Sequence, residues 1–221
     1  MSLKPDYIKF QEEIKKRGVE YLVHFTPTLN LYGIYEHQKL ISRKTIKAAD
    51  TEQIDIIDYV KFPDSLRFDD DSYINLSISC PNTFLFSKFM KKTKDDFLIK
   101  WCILKIKPDL IYELNTKFSV TNAASNAAKA IGISADLNIF KMMFASNIPI
   151  PYGTRNNNIH SKYPTNVQAE VLVKDSISLD NIIQVCFESD EELAEAKASL
   201  FEFDTRNFVV DKEIFSPNRI K

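Results

Sequence analysis

Alternation between apolar and polar residues marks the clearest strand of this chain. Residues 74–79 alternate strictly, and this period of two predicts a strand with one buried face. Mainly apolar segments over residues 97–106 and 182–187 predict two further strands. Shorter strands are expected at residues 21–25, 168–173 and 209–210.

Apolar residues at helical spacing predict several helices. Tyr7, Phe10 and Ile14 share one face of a segment followed by Gly18, which indicates an amphipathic helix within residues 1–19. Further helices are expected over residues 28–35 with Thr28 as the N-cap, 84–90, 122–144 (one or two helices) and 189–201. Because helices and strands do not alternate regularly, the predicted fold class is α+β with mainly antiparallel strands.

The periodic pattern stops over residues 145–167. Three Pro, one Gly and five Asn occur between residues 145 and 166, together with Arg155 and His160. Long segments without regular structure inside a domain are usually functional or disordered. The sequence therefore predicts a polar loop with a functional role directly before the strand at residues 168–173.

Two polar residues, Gln168 and Glu170, begin that predicted strand. They lie two residues apart, so a strand over residues 168–173 would place both side chains on one face. Burying an unpaired carboxylate costs several kcal/mol, which favours the rim of a cleft over the core. An edge strand with both side chains facing water explains the same pattern.

Composition and charge narrow the class of protein. With 221 residues, 44% hydrophobic and 27% charged, the chain is expected to form one domain over residues 1–221. Its net charge of −1 gives no general attraction to nucleic acid or membrane. The three widely spaced cysteines are typical of free thiols in a reducing compartment, so a cytoplasmic location is expected. We find no signal peptide, no apolar run of membrane-spanning length and no Cys/His spacing typical of a metal site.

Three polar signatures follow one another along the predicted strands, and together they resemble a known family. They are His24-Phe25-Thr26, Ser77-Ile78-Ser79 and Gln168-Ala169-Glu170. The order resembles the ADP-ribosyltransferase superfamily and, more closely, the DarT family of DNA ADP-ribosyltransferase toxins. The segments that carry the resemblance are residues 23–26, 30–34, 67–69, 76–82, 122–125 and 164–173.

The resemblance implies two small, mainly antiparallel sheets with an NAD cleft between them. Glu170 would be the catalytic residue that stabilises positive charge on the ribose, and Gln168 would contact the acceptor. His24 and Thr26 would hold the nicotinamide and ribose, with Asn30 and Ser77 supporting NAD. Without the resemblance, His24 would be interpreted as a hydrogen-bonded structural residue and Ser77 as part of a solvated strand face.

A diphosphate-binding arginine is also implied by the family. Guanidinium groups suit this role because they bind phosphates through two hydrogen bonds. The family places such an arginine upstream of the second strand, and by this analogy Arg67 is favoured over Arg43 for the catalytic and NAD-binding role. Simple pairing with neighbouring aspartates is the alternative for Arg67. Asn122 either lines the cleft or caps the helix that follows, and capping is the simpler interpretation.

The acceptor is expected to be a base of single-stranded DNA. The loop contributes Tyr152, Arg155 and His160, and aromatic and cationic side chains are typical of single-strand sites. The near-neutral charge argues against this acceptor more than against NAD chemistry, and a merely solvated loop would also fit. The resemblance further implies a toxin–antitoxin pair with a macrodomain antitoxin.

Two alternatives remain open at this stage. The same NAD site could serve an ADP-ribosyltransferase or NAD glycohydrolase that acts on protein, RNA or water. The chain could also be a non-catalytic binding module that retains the fold. The sequence does not decide between thymine and guanine as the modified base.

Overall fold

The computed structural model describes residues 2–48, 53 and 70–220. The strands in this part of the chain are β1 (Leu22–Pro27), β2 (Lys39–Ile41), β3 (Tyr73–Ile78), β4 (Trp101–Ile106), β5 (Lys117–Ser119), β6 (Glu170–Lys174), β7 (Ser176–Ser178), β8 (Ile182–Phe187) and β9 (Phe208–Val210). Seven of them form one sheet in the order β5-β6-β3-β1-β4-β8-β9, and β2 pairs with β7. All pairs are antiparallel except β8 with β9. The predicted α+β class is confirmed.

Helices flank this sheet, and several begin at a side-chain cap. They are α1 (Tyr7–Arg17), α2 (Asn30–Glu36), α3 (Arg43–Ala48), α4 (Thr83–Lys92), α5 (Asn126–Ile131), α6 (Leu137–Met142), α7 (Asp190–Ser199) and α8 (Lys212–Phe215). Short 3₁₀ helices cover Pro108–Tyr112 and Leu179–Asn181. Asn82, Ser125 and Ser189 each accept a hydrogen bond from the backbone at the start of α4, α5 and α7, which satisfies an otherwise unpaired N–H.

The sheet consists of two parts that a short link joins. Strands β1 and β4 pair over six residues, whereas β1 and β3 pair only at Leu22 with Ile78 and at Val23 with Ser77. Beyond Val23 the two strands separate. The part formed by β5, β6 and β3 therefore diverges from the part formed by β1, β4, β8 and β9, as the resemblance to ADP-ribosyltransferases implied.

Apolar clusters cover both faces of the sheet because neighbouring strand residues point to opposite sides. On one face, Phe10 of α1 packs against Phe118 and Phe140, with ring centroids 5.6 Å from each. On the other face, Phe86 of α4 packs against Phe25, with ring centroids 4.8 Å apart. Helices on both faces thus hold the two parts of the sheet in place.

The predicted starts of β4 and α2 are wrong. The strand expected from residue 97 begins at Trp101, because the Asp96 carboxylate accepts a hydrogen bond from Leu98 N at 3.1 Å and stabilises a turn there. Phe97 is consequently 85% exposed. Thr28 does not cap α2: its carbonyl accepts from Leu31 N, and the helix begins at Asn30 without a side-chain cap.

The free cysteines and the position of the N-terminal helix agree with the sequence predictions. The three cysteines are free and buried. No helix in the described part of the chain combines the length and apolar character needed to cross a membrane. The N-terminal helix lies at Tyr7–Arg17 and is followed by Gly18, whose positive φ of 70° suits a residue without a Cβ.

Candidate active site

A cleft opens where β1 and β3 separate. It contains a cavity of about 170 Å³ that both strands line, together with the start of β6 and one side of α4. Its lining includes five of the predicted site residues, and these are His24, Thr26, Asn30, Ser77 and Glu170. The fold thus brings together residues that are up to about 150 positions apart in sequence.

His24 connects β1 to β3 at the position where the two strands begin to separate. Its Nδ1 lies 3.0 Å from the Asn75 carbonyl oxygen, and a carbonyl can only accept, so Nδ1 carries the proton. Burial lowers the pKa of His24 below its ordinary value of 6.5, against the opposite effect of the hydrogen bond to Asn75. The imidazole is therefore neutral at pH 7, and its Nε2 is an acceptor.

Thr26 and Asn30 form a buried pair at the β1 side of the cavity. Asn30 Nδ2 donates to Thr26 Oγ1 at 2.9 Å, across the turn that connects β1 to α2. Both side chains are at most 5% exposed. This bond fixes two polar groups against the cavity wall, where they can bind a hydroxyl or amide of a ligand.

Glu170 is the first residue of β6 and is only 6% exposed. Oε2 accepts a hydrogen bond of 2.8 Å from the backbone N–H of Ala123. A backbone donor of this kind stabilises a carboxylate and fixes its direction. The structure therefore places an oriented carboxylate at the wall of the cavity, more deeply buried than the rim position that the sequence argument favoured.

A tight turn presents that donor to Glu170. The Asn122 side-chain Oδ1 accepts from Ala124 N at 2.8 Å, and Ser125, not Asn122, caps α5. Capping by Asn122 was the simpler sequence interpretation, and it is wrong because the helix begins three residues later. Asn122 and Ala124 both line the cavity.

The two serines of the Ser-x-Ser signature separate. Ser77 lies in β3 and lines the cavity, whereas Ser79 follows the end of the strand at a positive φ of 62°. The left-handed conformation of Ser79 breaks the period of two, so its side chain leaves the face that Ser77 occupies. Ser79 lines a separate polar concavity together with Lys162 and Tyr163.

Gln168 does not share a strand face with Glu170, which corrects the sequence prediction. Asn166 Oδ1 accepts from Gln168 N at 2.8 Å, and this turn delays the start of β6 to Glu170. Gln168 is half-buried and is not among the described residues that line the cavity. Its proposed contact with the acceptor remains a prediction.

Arg155 and His160 also lie outside the cavity lining in the described part of the chain. The Arg155 guanidinium donates to the carbonyl oxygens of Tyr163 and His160, each at 2.8 Å, and so holds its own loop together. The His160 side chain is exposed, with its ring perpendicular to that of Tyr163. Their roles in substrate binding remain predictions, and Arg155 has a clear structural role besides.

Arg67 falls outside the described residues, so its assignment to the NAD diphosphate remains a prediction. Arg43, the rival for this role, begins α3 and lines the cavity. Gln53 also lines it, and its Nε2 donates to the Lys39 carbonyl at 3.2 Å.

Sequence reasoning assigned no role in the cavity to Gln53 or Asn82. Asn82 carried a detectable signal, since it precedes a predicted helix and is a preferred N-cap residue. For Gln53 no local pattern pointed to the site. Within the described residues, no group of three or more His, Cys, Asp or Glu side chains could hold a metal ion.

Solved structures of DarT proteins share this fold. DarT of Thermus sp. 2.9 in complex with carba-NAD+ matches with a TM-score of 0.61 at 17% identity, over 87% of this chain and 96% of that chain. The same protein in complex with ADP-ribosylated ssDNA gives 0.57 at 14% identity, over 89% and 96%. Thermosipho africanus DarTG in complex with ADP-ribose gives 0.58 at 18% identity, over 89% of this chain and 51% of that one. This chain thus shares the fold of these DarT structures.

The family follows from the sequence match. A family model described as "ssDNA thymidine ADP-ribosyltransferase, DarT" matches residues 23–216. This chain therefore belongs to the DarT family, and its interpretation as an NAD-dependent ADP-ribosyltransferase is confirmed. No curated protein sequence gives a significant match.

Proposed function

We propose that this chain cleaves NAD+ in the cleft between β1 and β3 and transfers ADP-ribose to a thymine of single-stranded DNA. The observation that carries the proposal is the position of Glu170. Its carboxylate is buried, lines the cavity and is oriented by Ala123 N–H. Placing a carboxylate there costs stability, and functional sites commonly carry such a cost.

The chemistry requires a negative group beside the ribose. As the bond between ribose C1′ and the nicotinamide nitrogen breaks, nicotinamide leaves with the bonding electron pair and positive charge develops on C1′. The Glu170 carboxylate stabilises this charge, and an oriented group is most effective because it needs no rearrangement. A ring nitrogen of thymine then forms the new bond to C1′, and its proton passes to the Glu170 carboxylate.

The NAD contacts are assigned mainly to the side of the cavity that β1 and the start of α2 form. His24, Thr26 and Asn30 bind the nicotinamide ribose side of NAD in this proposal, and Ser77 supports it from β3. The neutral imidazole of His24 suits a ribose hydroxyl, because Nε2 can accept its proton in a hydrogen bond. No positive charge then opposes the charge that develops on C1′.

The loop over residues 145–167 is assigned to the acceptor. It leads through a turn into Glu170, so its position decides what reaches the carboxylate. Thymine is proposed as the acceptor base because the family description specifies thymidine. Gln168, Arg155 and His160 are the residues proposed to contact DNA or to shape its site.

Labelled NAD+ and DNA oligonucleotides test this proposal. We expect label transfer by the wild type to a single-stranded oligonucleotide that contains thymine, and none to a matched one that lacks thymine. Glu170→Ala should abolish the transfer while leaving the fold intact by circular dichroism. Nicotinamide release without labelled DNA would favour the alternative acceptors, and transfer that persists in Glu170→Ala would contradict the role of Glu170.

The proposal includes a toxin–antitoxin pair with a macrodomain antitoxin. Its support is family membership and the match to Thermosipho africanus DarTG, of which this chain covers 51%. A macrodomain partner would be expected to remove the ADP-ribose label from the modified oligonucleotide. A single domain over residues 1–221 and a cytoplasmic location are further parts of the proposal.

A further inference from the structure

The start of α4 places a buried amide against the cavity. Asn82 is 3% exposed, and its Oδ1 accepts a hydrogen bond of 3.1 Å from Leu85 N at the helix N-terminus. Because a backbone N–H requires an acceptor, this bond fixes the orientation of the amide and directs Nδ2 away from the helix. The capping function therefore uses only half of the Asn82 side chain.

The other half of the amide has no partner. Among the described residues, six buried side-chain nitrogen or oxygen atoms lack a hydrogen bond, and only Asn82 Nδ2 belongs to a residue that lines the cavity. A buried donor without an acceptor costs about 1–3 kcal/mol. Such a cost at a ligand cavity points to an acceptor that the ligand supplies.

The surroundings of Asn82 indicate the chemistry of that ligand. Asn82, Leu85 and Phe89 line the cavity at helical spacing, so α4 presents one apolar wall that ends in an amide donor. A flat ring that carries a carbonyl oxygen fits such a wall. Two parts of NAD+ are flat rings. Of these, only nicotinamide carries a carbonyl oxygen, in its carboxamide, whereas adenine offers only ring nitrogens as acceptors.

We infer that Asn82 Nδ2 donates a hydrogen bond to the carboxamide oxygen of the NAD+ nicotinamide, while Leu85 and Phe89 contact the ring. This inference rests on the proposed use of NAD+ in the cleft. It adds α4 to the elements that bind the substrate and gives one residue two functions. The helix cap positions the amide, and the amide selects the leaving group.

Two substitutions separate these functions. Asn82→Asp and Asn82→Ser both retain a side-chain oxygen that caps α4, and both remove the amide donor. Asn82→Asp adds a negative charge, whereas Asn82→Ser does not, so an effect that both share reflects the donor. Ser189→Asp adds the same charge at the N-cap of α7, outside the described cavity lining, and serves as the control.

Calorimetric titrations of the full chain with NAD+ and with ADP-ribose test the inference, since ADP-ribose lacks nicotinamide. We expect both Asn82 variants to weaken NAD+ binding about 5- to 10-fold and to leave ADP-ribose binding unchanged. The thermal unfolding temperature should change little, because the cap is kept. The Ser189→Asp control should bind both ligands as the wild type does.

Each other outcome overturns the inference in an identifiable way. If the Asn82 variants bind NAD+ and ADP-ribose equally more weakly, the Asn82 contact lies on a part of the ligand other than nicotinamide. If their affinity for NAD+ is unchanged, Asn82 is a helix cap alone. Weakening by Asn82→Asp alone would indicate charge repulsion. If the wild type itself binds neither ligand, the proposed function fails, and this result is distinguishable from failure of the inference alone.

Discussion

His24 shows how a single side chain links the two parts of the sheet. Its Nδ1–H donates to the Asn75 carbonyl of β3, next to the position where β1 and β3 stop pairing. This bond links β1 to β3 beyond their last paired residues. Burial lowers the pKa of His24, so the folded protein favours the neutral imidazole over the doubly protonated one.

The lowered pKa of His24 predicts a loss of stability in acid. Because the folded pKa is below 6.5, the unfolded chain takes up the proton first as the pH falls. The stabilisation is present above the unfolded pKa and is lost as the pH falls through the folded pKa. Urea unfolding between about pH 7.5 and 5 should therefore show a decreasing free energy of unfolding.

The matched variant is His24→Asn, whose amide can donate to Asn75 and does not titrate in this range. We expect its free energy of unfolding to decrease less with acidification than that of the wild type. Parallel pH profiles for the two proteins would show that His24 is not the group responsible.

At the scale of the elements, local sequence patterns predicted the existence of a strand better than the residues at which it begins and ends. The alternation around residue 76 identified β3, and the apolar run at residue 182 identified β8, because both signals come from burial on the sheet. The ends depend on single side chains that compete with the strand. Asp96 closes a turn before β4, and Asn166 closes one before β6.

The N-terminal segment is tied to the body by one buried cation. Lys4 is 3% exposed, and its Nζ donates to the carbonyl oxygens of Ile111 at 3.1 Å, Thr116 at 2.8 Å and Glu113. Burial lowers the pKa of Lys4 to about 8, against the attraction of Asp6 and Glu113. Three backbone carbonyls thus share one side-chain donor, and that of Glu113 also accepts from Thr116 N.

Lys4→Met is predicted to lower the free energy of unfolding by about 2–4 kcal/mol, because the buried carbonyls of Ile111 and Thr116 lose this donor. Chemical denaturation measures this change. Lys9→Met, an exposed substitution on α1, should stay within about 0.5 kcal/mol of the wild type. A Lys4→Met protein as stable as the wild type would mean that water satisfies these carbonyls equally well.

Arg155 is predicted to order the loop over residues 145–167. Its guanidinium bonds to loop carbonyls would be lost in Arg155→Ala, so backbone amides such as Thr165 N, which donates to the Met143 carbonyl, should exchange faster. Since the loop is proposed to position the acceptor, transfer to DNA should fall more than nicotinamide release. Hydrogen exchange and the two activity assays measure these effects.

The control for the loop is Arg206→Ala, which removes an exposed ion pair with Asp204. It should alter neither loop exchange nor activity. Unchanged exchange of Thr165 in Arg155→Ala would return Arg155 to the direct DNA contact that the sequence suggested.

At the scale of the whole molecule, the active site lies where the two parts of the sheet separate. No local sequence pattern predicts this separation. The separation of β1 from β3 depends on pairing between strands about 50 residues apart, which only the resemblance to a family anticipated. That resemblance also brought His24, Ser77 and Glu170 together correctly. It could not reveal that Asn82 Nδ2 lacks a hydrogen-bond partner, because only the three-dimensional structure shows a missing hydrogen bond.

The central claim is that Glu170, in the cleft between the two parts of the sheet, transfers ADP-ribose from NAD+ to thymine. Mass spectrometry of one single-stranded oligonucleotide with a single thymine tests it most directly, after incubation with NAD+ and either wild type or Glu170→Gln. The wild type should add one ADP-ribose at the thymine, and Glu170→Gln should do so about 10²–10⁴-fold more slowly. Modification of another base, or equal rates for the two proteins, would contradict the claim.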